Sequence, residues 1–473
     1  MRLFQHPLRV LSLGLVLFIQ VSQSKQYDQA IFSKDEYEAP PEDVLKSTNT
    51  ARGEVRRYAF SRPLLEELQR KKADIWRVAP DGIDVLITPE ISQDGLNLVQ
   101  FNYTVLPIEL PSTRPEGKDP SEANVQDYAK KLRRKKYLDL TLLSHEFHSQ
   151  YHSAKNISHF MRSLVHTFPN HTSLIHIGHS SEGRRLTGIK IAKPEPVALG
   201  AKERKGFVIL GAQHAREWIA TSTSLYLAHA LAVNASMQSS ADAHHSLSHL
   251  LDKFEFHIIP LPNPDGHEYT RKHDRLWYKN RQTVSPGRDR EACKGIDMNR
   301  NWGFQWSPAQ DPSSDPCKHW FPGSRPFEAH EVNALTSYLT YRTGGRGKVA
   351  AFLDLRSYGQ TLSAPFSYSC DVYTSDAEDQ IEAALGAAQA GSKVHGTTFS
   401  SGRLCETLYS APGNIVDWAY AEAGIKYTYA AHLRDSGTYG YLLPAEHIRP
   451  TGEETAALVA YLAAFIAKDP KTM

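Results

Sequence analysis

Four apolar segments that alternate with helix-like segments set the fold class of this chain. The apolar segments are GFVILGAQ (206–213), FEFHIIPLP (254–262), KVAAFLDLRSY (348–358) and KYTYAAHL (426–433). Helical patterns lie at 221–235, 329–342, 377–394 and 454–469. Mostly apolar strands between long helices are typical of a sheet that is covered on both faces. Residues 139–470 are therefore predicted to form an α/β domain.

Three chemically notable side chains follow the predicted strands. His214 comes directly after the first apolar segment, Arg356 lies near the end of the third, and His432 lies near the end of the fourth. Ligands of open α/β sheets bind beyond the carboxyl ends of the strands. We therefore expect these three side chains to converge on one site.

The segment GAQHAREW (211–218) places a metal-binding pattern at the same position. His214 and Glu217 are three residues apart, and at a helix start this spacing directs both side chains the same way. Imidazole nitrogen and carboxylate oxygen are good zinc ligands, and a catalytic zinc site uses three protein ligands and an open position for water. The pair alone is a weak signal, because many helices carry it by chance.

The N-terminus has the order of residues found in secretory signal peptides. Residues 1–24 place Arg2 and Arg9 around the start of an apolar run that ends at Val21 and is too short to span a bilayer. No later segment is apolar enough to cross a membrane, so a secreted or vacuolar protein is expected. Four cysteines and four N-x-S/T sequons agree with an oxidising compartment. They are Cys293, Cys317, Cys370 and Cys405, with three pairings open, and Asn102, Asn156, Asn170 and Asn234.

A small domain is predicted ahead of the α/β domain. After a polar segment at 25–54, residues 55–110 combine a helical pattern at 63–78 with strand patterns at 82–90 and 96–110, which indicates an α+β unit. Residues 111–138 are rich in Pro, Ser and charge and are predicted to be a linker. Its basic cluster is either a cleavage site for a protease that cuts at paired basic residues or the charged end of a solvated helix.

The composition excludes some classes of partner. The chain has 473 residues, of which 41% are hydrophobic and 22% charged, and its formal net charge is +2. A chain so close to neutrality is not expected to bind nucleic acid. The G-x-S-x-G motif of serine hydrolases does not occur in it. A monomer is expected.

Eight motifs make the α/β domain resemble the secreted zinc metallocarboxypeptidases of the carboxypeptidase A/B family, across about 140–470. They are GHSSEGR (178–184), GAQHAREW, NPDGHEYT (263–270), RLWYKNR (275–281), IDMNRNW (296–302), DLRSYGQ (354–360), YSAPGNIVDW (409–418) and HLRDSGTYGYLLP (432–444). The resemblance implies a mixed, mostly parallel sheet flanked by helices, and an inhibitory pro-segment at the position of the small domain. It also implies that Cys293 pairs with Cys317, which leaves Cys370 with Cys405.

The substrate-binding half of the family's site is preserved. The matched residues are Arg216, Asn299, Arg300, Tyr358, Tyr409 and Val416. By this resemblance Asn299 and Arg300 hold the C-terminal carboxylate of a peptide, and Tyr409 is the mobile tyrosine that closes over it. Tyr358 lines the cleft. An apolar residue at Val416, where the family sets specificity, suits an apolar C-terminal side chain.

The catalytic half is not preserved, although His214 and Glu217 match the first two zinc ligands. Arg356 stands where the family has its third ligand, a histidine, and a guanidinium has no lone pair to donate. Tyr278 stands where an arginine stabilises the oxyanion, and loss of such a donor typically costs about 10²- to 10³-fold in rate. His432 stands where a glutamate takes the proton from zinc-bound water. No catalytic residue is therefore expected.

Two hypotheses describe what happens to the single zinc ion of the family. In one, Arg356 replaces the metal and pairs with Glu217, since an Arg–carboxylate fork satisfies a buried acid. In the other, His432 moves in as a third ligand beside His214 and Glu217.

The sequence thus predicts a catalytically inactive homologue that binds peptide or protein C-termini. It is most similar to the fungal secreted members that have lost catalytic residues and are linked to cell wall organisation. The alternative is a slow zinc carboxypeptidase that releases apolar C-terminal residues, with His432 as the general base.

Overall fold

The computed structural model describes residues 53–71, 73–88, 98, 101–110, 137–194, 203–236, 247–284, 293–307, 315–342, 348–407 and 409–473. The predicted signal peptide lies outside them, as do all but the last two residues of the polar segment and of the linker. Thr50–Met473 forms one compact unit. It contains a small and a large domain, each built on its own sheet.

The small domain is an α+β unit, as the sequence predicts. Its antiparallel sheet has the order β2–β3–β1–β4 and is joined by the helix α1 (Arg62–Arg70). The strands are β1 (Glu54–Tyr58), β2 (Asp74–Ala79), β3 (Gly82–Ile87) and β4 (Tyr103–Val105). Leu64 and Leu68 of α1 share one apolar core with Ile75 and Val85 of the sheet.

The predicted helix at 63–78 is wrong in its second half. α1 ends at Arg70, and Asp74–Ala79 is a strand that pairs with β3. Ile75, Trp76 and Val78 are residue types that favour strands, and pairing with β3 outweighs the helical period of the segment. The predicted strand at 96–110 is described only in part, and there it forms the three-residue β4.

The large domain has an eight-stranded mixed sheet in the order β11–β10–β12–β9–β7–β8–β6–β5. The strands are β5 (Thr172–His179), β6 (Arg185–Ile191), β7 (Lys205–Leu210), β8 (Phe254–Ile259), β9 (Val349–Arg356), β10 (Thr361–Ala364), β11 (Ser400–Arg403) and β12 (Tyr427–His432). The central strands β12, β9, β7 and β8 run parallel. Strands β5, β6, β10 and β11, which we did not predict, occupy the two edges of the sheet.

Helices cover both faces of this sheet. They are α2 (Ala154–Thr167), α3 (Trp218–Ser236), α4 (Pro264–Lys272), α5 (His330–Ser337), α6 (Ala377–His395), α7 (Leu404–Thr407), α8 (Ile415–Ala421) and α9 (Ile448–Ile466), with a π-helical turn at Tyr338–Arg342. Phe207 and Ile209 of β7 pack in one core with α2, α3, α6 and α9. Val208 and Leu210 point to the other core, with α5 and α8. The predicted α/β architecture is confirmed.

The sheet brings the ends of three neighbouring strands together. β7, β9 and β12 are parallel, so their carboxyl ends lie at the same edge. His432 is the register partner of Arg356, and Leu210 at the end of β7 is the partner of Asp354. His214 follows β7 by four residues, so all three notable side chains start from this edge.

Both predicted disulfides are present, Cys293–Cys317 and Cys370–Cys405. The sequons Asn102 and Asn170 are exposed, whereas Asn156 and Asn234 lie half-buried in α2 and α3. Across the part of the chain that the structure describes, no helix is long and apolar enough to cross a membrane.

Candidate functional site

A pocket lies at the carboxyl ends of these strands, with an empty volume of about 700 Å³ that is partly open to solvent. Both domains line it. The small domain contributes Ile75, Trp76, Arg77 and Val78 from β2. The charged and imidazole side chains of the large domain that line it are His214, Glu217, Asp297, Arg300, Arg356 and His432.

His214 and Glu217 lie side by side and line the pocket. His214 is in the turn after β7, and Glu217 directly precedes α3. Nδ1 of His214 lies 3.0 Å from Oε1 of Glu217, and Nε2 lies 2.8 Å from Oδ1 of Asp297. The two predicted ligands therefore do point the same way, and Asp297 orients the imidazole from its other side.

Arg356 binds the pair directly. Its Nε donates to Oε2 of Glu217 and its Nη2 to Oε1, both at 3.0 Å. Nη2 also contacts Nδ1 of His214. The guanidinium thus occupies the position toward which both predicted ligands are directed.

This ion pair is deeply buried and holds its own charges. The Glu217 and Arg356 side chains are 1% and 7% exposed. Burial by itself would raise the pKa of Glu217, but the positive charge of Arg356 outweighs it and holds the pKa below its usual range. Burial alone would lower the pKa of Arg356, and Glu217 reverses this and raises it. Both groups are therefore charged across the normal pH range.

A zinc ion does not fit these residues. A cation at this position would meet a fixed guanidinium, which repels it and offers no lone pair. Among the described residues, the one group of three or more metal-binding side chains close enough to share an ion is Cys293, Asp315 and Cys317. Two of these are joined in a disulfide. The donor set agrees with the first of the two hypotheses above, in which Arg356 replaces the metal.

His432 lies beside this cluster but is not positioned as a ligand. Its Nδ1 is 3.4 Å from Oγ1 of Thr361 on the neighbouring strand. Burial, followed by the charge of Arg356, lowers the pKa of His432 to about 3. A general base works best with a pKa near the operating pH. The imidazole is therefore neutral and weakly basic, which argues against the role that the alternative function would require.

Tyr278 packs against the imidazole instead of facing a reacting group. Its ring centroid is 3.7 Å from that of His214, at an interplanar angle of 30°. The guanidinium carbon of Arg216 lies 4.8 Å from the centroid of the same ring. Burial raises the pKa of the phenol far above its ordinary value, so it stays neutral. Tyr278 adds no positive charge to the pocket.

The predicted carboxylate-binding residues Asn299 and Arg300 also line the pocket. Nη2 of Arg300 donates to the Tyr409 hydroxyl at 3.2 Å, and Nε lies 3.6 Å from Oδ2 of Asp297. Oδ1 of Asn299 accepts from the Ile415 amide at 3.2 Å, which fixes the side chain. Trp320 stacks on Tyr409 with the centroids 5.9 Å apart. Arg300 and Asn299 are thus held in place at one wall.

Arg216 is not available in the same way. Its Nη1 and Nη2 donate to both carboxylate oxygens of Asp74, from β2 of the small domain, at 2.8 to 3.0 Å. Arg216 is fully buried, and the Tyr441 ring covers it at 4.2 Å. Asp74 also accepts from the indole of Trp76 at 3.1 Å. Arg216, which was predicted to bind substrate, is therefore already paired with a carboxylate of the small domain.

The last two predicted binding residues have other surroundings. Tyr358 lines the pocket, and its hydroxyl donates to Oδ2 of Asp84, a second small-domain acid, at 2.8 Å. Val416 is fully buried and is not among the residues that line the pocket. The apolar wall is formed by Leu404, Ala411 and Ala430 instead.

Sequence reasoning missed the residues that come from outside the matched positions. Asp297 lies within the motif IDMNRNW, so its closeness to Asn299 was a usable signal. Trp320 lies in no motif. Asp74 and Arg77 belong to the segment that was predicted to be helical, and nothing in its pattern indicated that it enters the pocket.

Comparison with known proteins finds relatives that cover most of the chain. The zinc carboxypeptidase family profile matches residues 157–458. Inactive metallocarboxypeptidase ECM14 of Ajellomyces dermatitidis is 33% identical over 416 residues, which cover 83% of this chain and 67% of that protein. ECM14 of Paracoccidioides lutzii is 32% identical over 418 residues, covering 83% and 68%.

Two solved structures are similar over nearly the whole of their own chains. The crystal structure of thrombin activatable fibrinolysis inhibitor has a TM-score of 0.69 at 26% identity and covers 88% of this chain and 99% of that one. Carboxypeptidase A from Helicoverpa armigera has a TM-score of 0.71 at 23% identity, covering 89% and 99%. At that identity the second comparison concerns the fold alone.

Proposed function

The chain belongs to the zinc carboxypeptidase family, and from that premise we propose that it is a non-enzymatic member in which Arg356 has replaced the metal. One observation carries the proposal: Arg356 forms a two-bond fork with Glu217 and contacts His214. These are the two positions that match zinc ligands. Without a metal the site has no Lewis acid and no activated water. The relatives named as inactive support the same conclusion.

The retained activity is binding of a peptide C-terminal carboxylate. Arg300 provides a charged donor next to Asn299, and charge-assisted hydrogen bonds to carboxylate are among the strongest in proteins. Tyr409 and Trp320 form an aromatic wall beside Arg300. The apolar side chains of Leu404, Ala411 and Ala430 suit an apolar C-terminal residue.

The small domain narrows this pocket while it is docked. Asp74 neutralises Arg216, so a ligand reaches Arg300 and Asn299 but not Arg216. Ile75, Trp76, Arg77 and Val78 of the small domain then line the pocket together with Arg300.

The wider setting follows from the sequence. The N-terminal apolar segment and the disulfides favour a secreted or vacuolar protein. A monomer and a role in cell wall organisation stay predictions, the latter drawn from the resemblance to fungal members.

The test compares the wild type with the triple variant Arg356→His, Tyr278→Arg and His432→Glu. Both are assayed for release of C-terminal Leu and for binding of the same peptide with a free or an amidated C-terminus. We expect no hydrolysis by the wild type and binding that amidation abolishes. Reproducible hydrolysis by the wild type, even at a low rate, would refute the proposal in favour of the slow carboxypeptidase. Binding that ignores amidation would refute the carboxylate site.

A further inference from the structure

Arg77 of the small domain brings buried donors into the pocket. Its side chain is 8% exposed, and the residue lines the pocket. Nη2 donates to Oδ1 of Asp81 at 2.6 Å. Nε and Nη1 are buried and have no hydrogen-bond partner within the described ranges. Buried polar groups are nearly always hydrogen-bonded, so two unsatisfied guanidinium donors in a pocket indicate a place for an acceptor.

Distances from Gly359 locate Arg77 relative to the group formed by His214, Glu217 and Arg356. A methyl group added at Gly359 would lie 3.7 Å from Nε of Arg77 and 3.8 Å from Cβ of His432. His432 is the register partner of Arg356. Arg77 therefore lies on the His432 side of the cluster, whereas Arg300 is linked to the His214 side through Asp297.

The positive charges of Arg77 and Arg300 are balanced by acids that lie in different positions. Three arginines line the pocket, Arg77, Arg300 and Arg356, against two carboxylates, Glu217 and Asp297. Glu217 is taken by the Arg356 fork, and Asp297 lies between His214 and Arg300. The acid that Arg77 contacts, Asp81, is 60% exposed and outside the pocket. The ion pair with Asp81 uses Nη2 alone, so Nε and Nη1 are the donors of Arg77 that meet no carboxylate among the described residues.

We propose that Arg77 is a ligand-binding residue, and that the pocket takes short peptides with an acidic side chain next to the C-terminal residue while the small domain stays docked. The C-terminal carboxylate binds at Arg300, and the acidic side chain accepts from Nε and Nη1 of Arg77. This proposal rests on the proposed function for the first contact only. It makes the small domain part of the binding site and not solely a cover over it.

The test uses the full chain and two N-acetyl dipeptides, Asp-Leu and Asn-Leu, each with a free and an amidated C-terminus. Isothermal titration calorimetry is run on the wild type, on Arg77→Met, and on Arg70→Met, a control at an exposed arginine of α1. We expect the wild type and Arg70→Met to bind Asp-Leu at least about tenfold more tightly than Asn-Leu. A hydrogen bond to a charged group typically changes an affinity by about that factor. Arg77→Met should bind both alike, with the affinity for Asn-Leu unchanged.

The outcomes separate the two proposals. Equal affinity of the wild type for Asp-Leu and Asn-Leu overturns this inference and leaves the carboxylate site intact. A preference for Asp that persists in Arg77→Met overturns it as well. A preference that depends on Arg77 but is insensitive to amidation supports it and refutes the carboxylate site at Arg300. Absence of binding by every peptide refutes both.

Discussion

Removal of the Arg356 guanidinium is expected to destabilise the fold strongly, and more at neutral than at acidic pH. Arg356→Met keeps an unbranched side chain of similar length but deletes two bonds of 3.0 Å to Glu217, which is 1% exposed. Breaking a buried ion pair from one side typically costs about 3–5 kcal/mol, because the remaining charge is left uncompensated. We expect a loss of that size in the free energy of unfolding at pH 7.5.

The pH dependence follows from the sign of the Glu217 shift. In the wild type the pKa of Glu217 is held below its ordinary value of 4.5, so the stability from this group is present above 4.5 and is lost as the pH falls below it. In Arg356→Met burial still raises the pKa of Glu217, and the positive charge that opposed it is gone. The folded state then takes up a proton more readily, and the deficit relative to the wild type should shrink between pH 7.5 and pH 5.5.

Urea denaturation followed by tryptophan fluorescence measures both effects. The double variant Arg356→Met with Glu217→Gln is the matched control, because it removes the stranded charge and should regain most of the lost stability. A single variant within about 1 kcal/mol of the wild type at pH 7.5 would refute the reasoning, since a buried pair of this kind is worth more. So would a deficit that is the same at both pH values.

Two further perturbations test the surroundings of the site. Asp74→Ala leaves the fully buried Arg216 without its carboxylate and should weaken docking of the small domain by about 3–5 kcal/mol. The weaker docking should be measurable as faster hydrogen exchange in β2, and unchanged protection of β2 would contradict the importance of the contact. Burial lowers the pKa of His229 to about 4, so the native state should lose stability as the pH falls from 6.5 to 4. His229→Gln keeps a donor to the Leu140 carbonyl and should reduce this loss by about 1.4 kcal/mol per pH unit; a pH dependence equal to that of the wild type would contradict the assignment.

The central part of the fold was predictable because its strands are buried on both faces. β7, β8, β9 and β12 are nearly continuous apolar segments, and such segments stand out in a sequence. The edge strands do not stand out, since only two of the eight residues of β5 are buried and β10 and β11 have four residues each. Short strands take their structure from the neighbour with which they pair, and a local pattern does not contain that information.

Part of the site was likewise predictable from the sequence, and part was not. The sequence placed His214, Glu217, Arg356 and His432 together, because strand ends and motif order fix their positions. The sequence allowed two partners for Glu217, either Arg356 or a zinc ion held together with His214 and His432. Only the three-dimensional arrangement favours Arg356. The contact between Asp74 and Arg216 joins residues 142 positions apart across two domains. Docking of one domain on another depends on surface complementarity that no local pattern specifies.

The zinc content of the purified wild type shows whether Arg356 has replaced the metal. Protein dialysed against zinc-containing and then metal-free buffer is analysed by inductively coupled plasma mass spectrometry, beside the variant Arg356→His. If the guanidinium occupies the metal position, the wild type retains far less than one zinc ion per chain. The variant should retain more, because its new imidazole is a third ligand beside His214 and Glu217. Near-stoichiometric zinc in the wild type that survives dialysis would contradict the account.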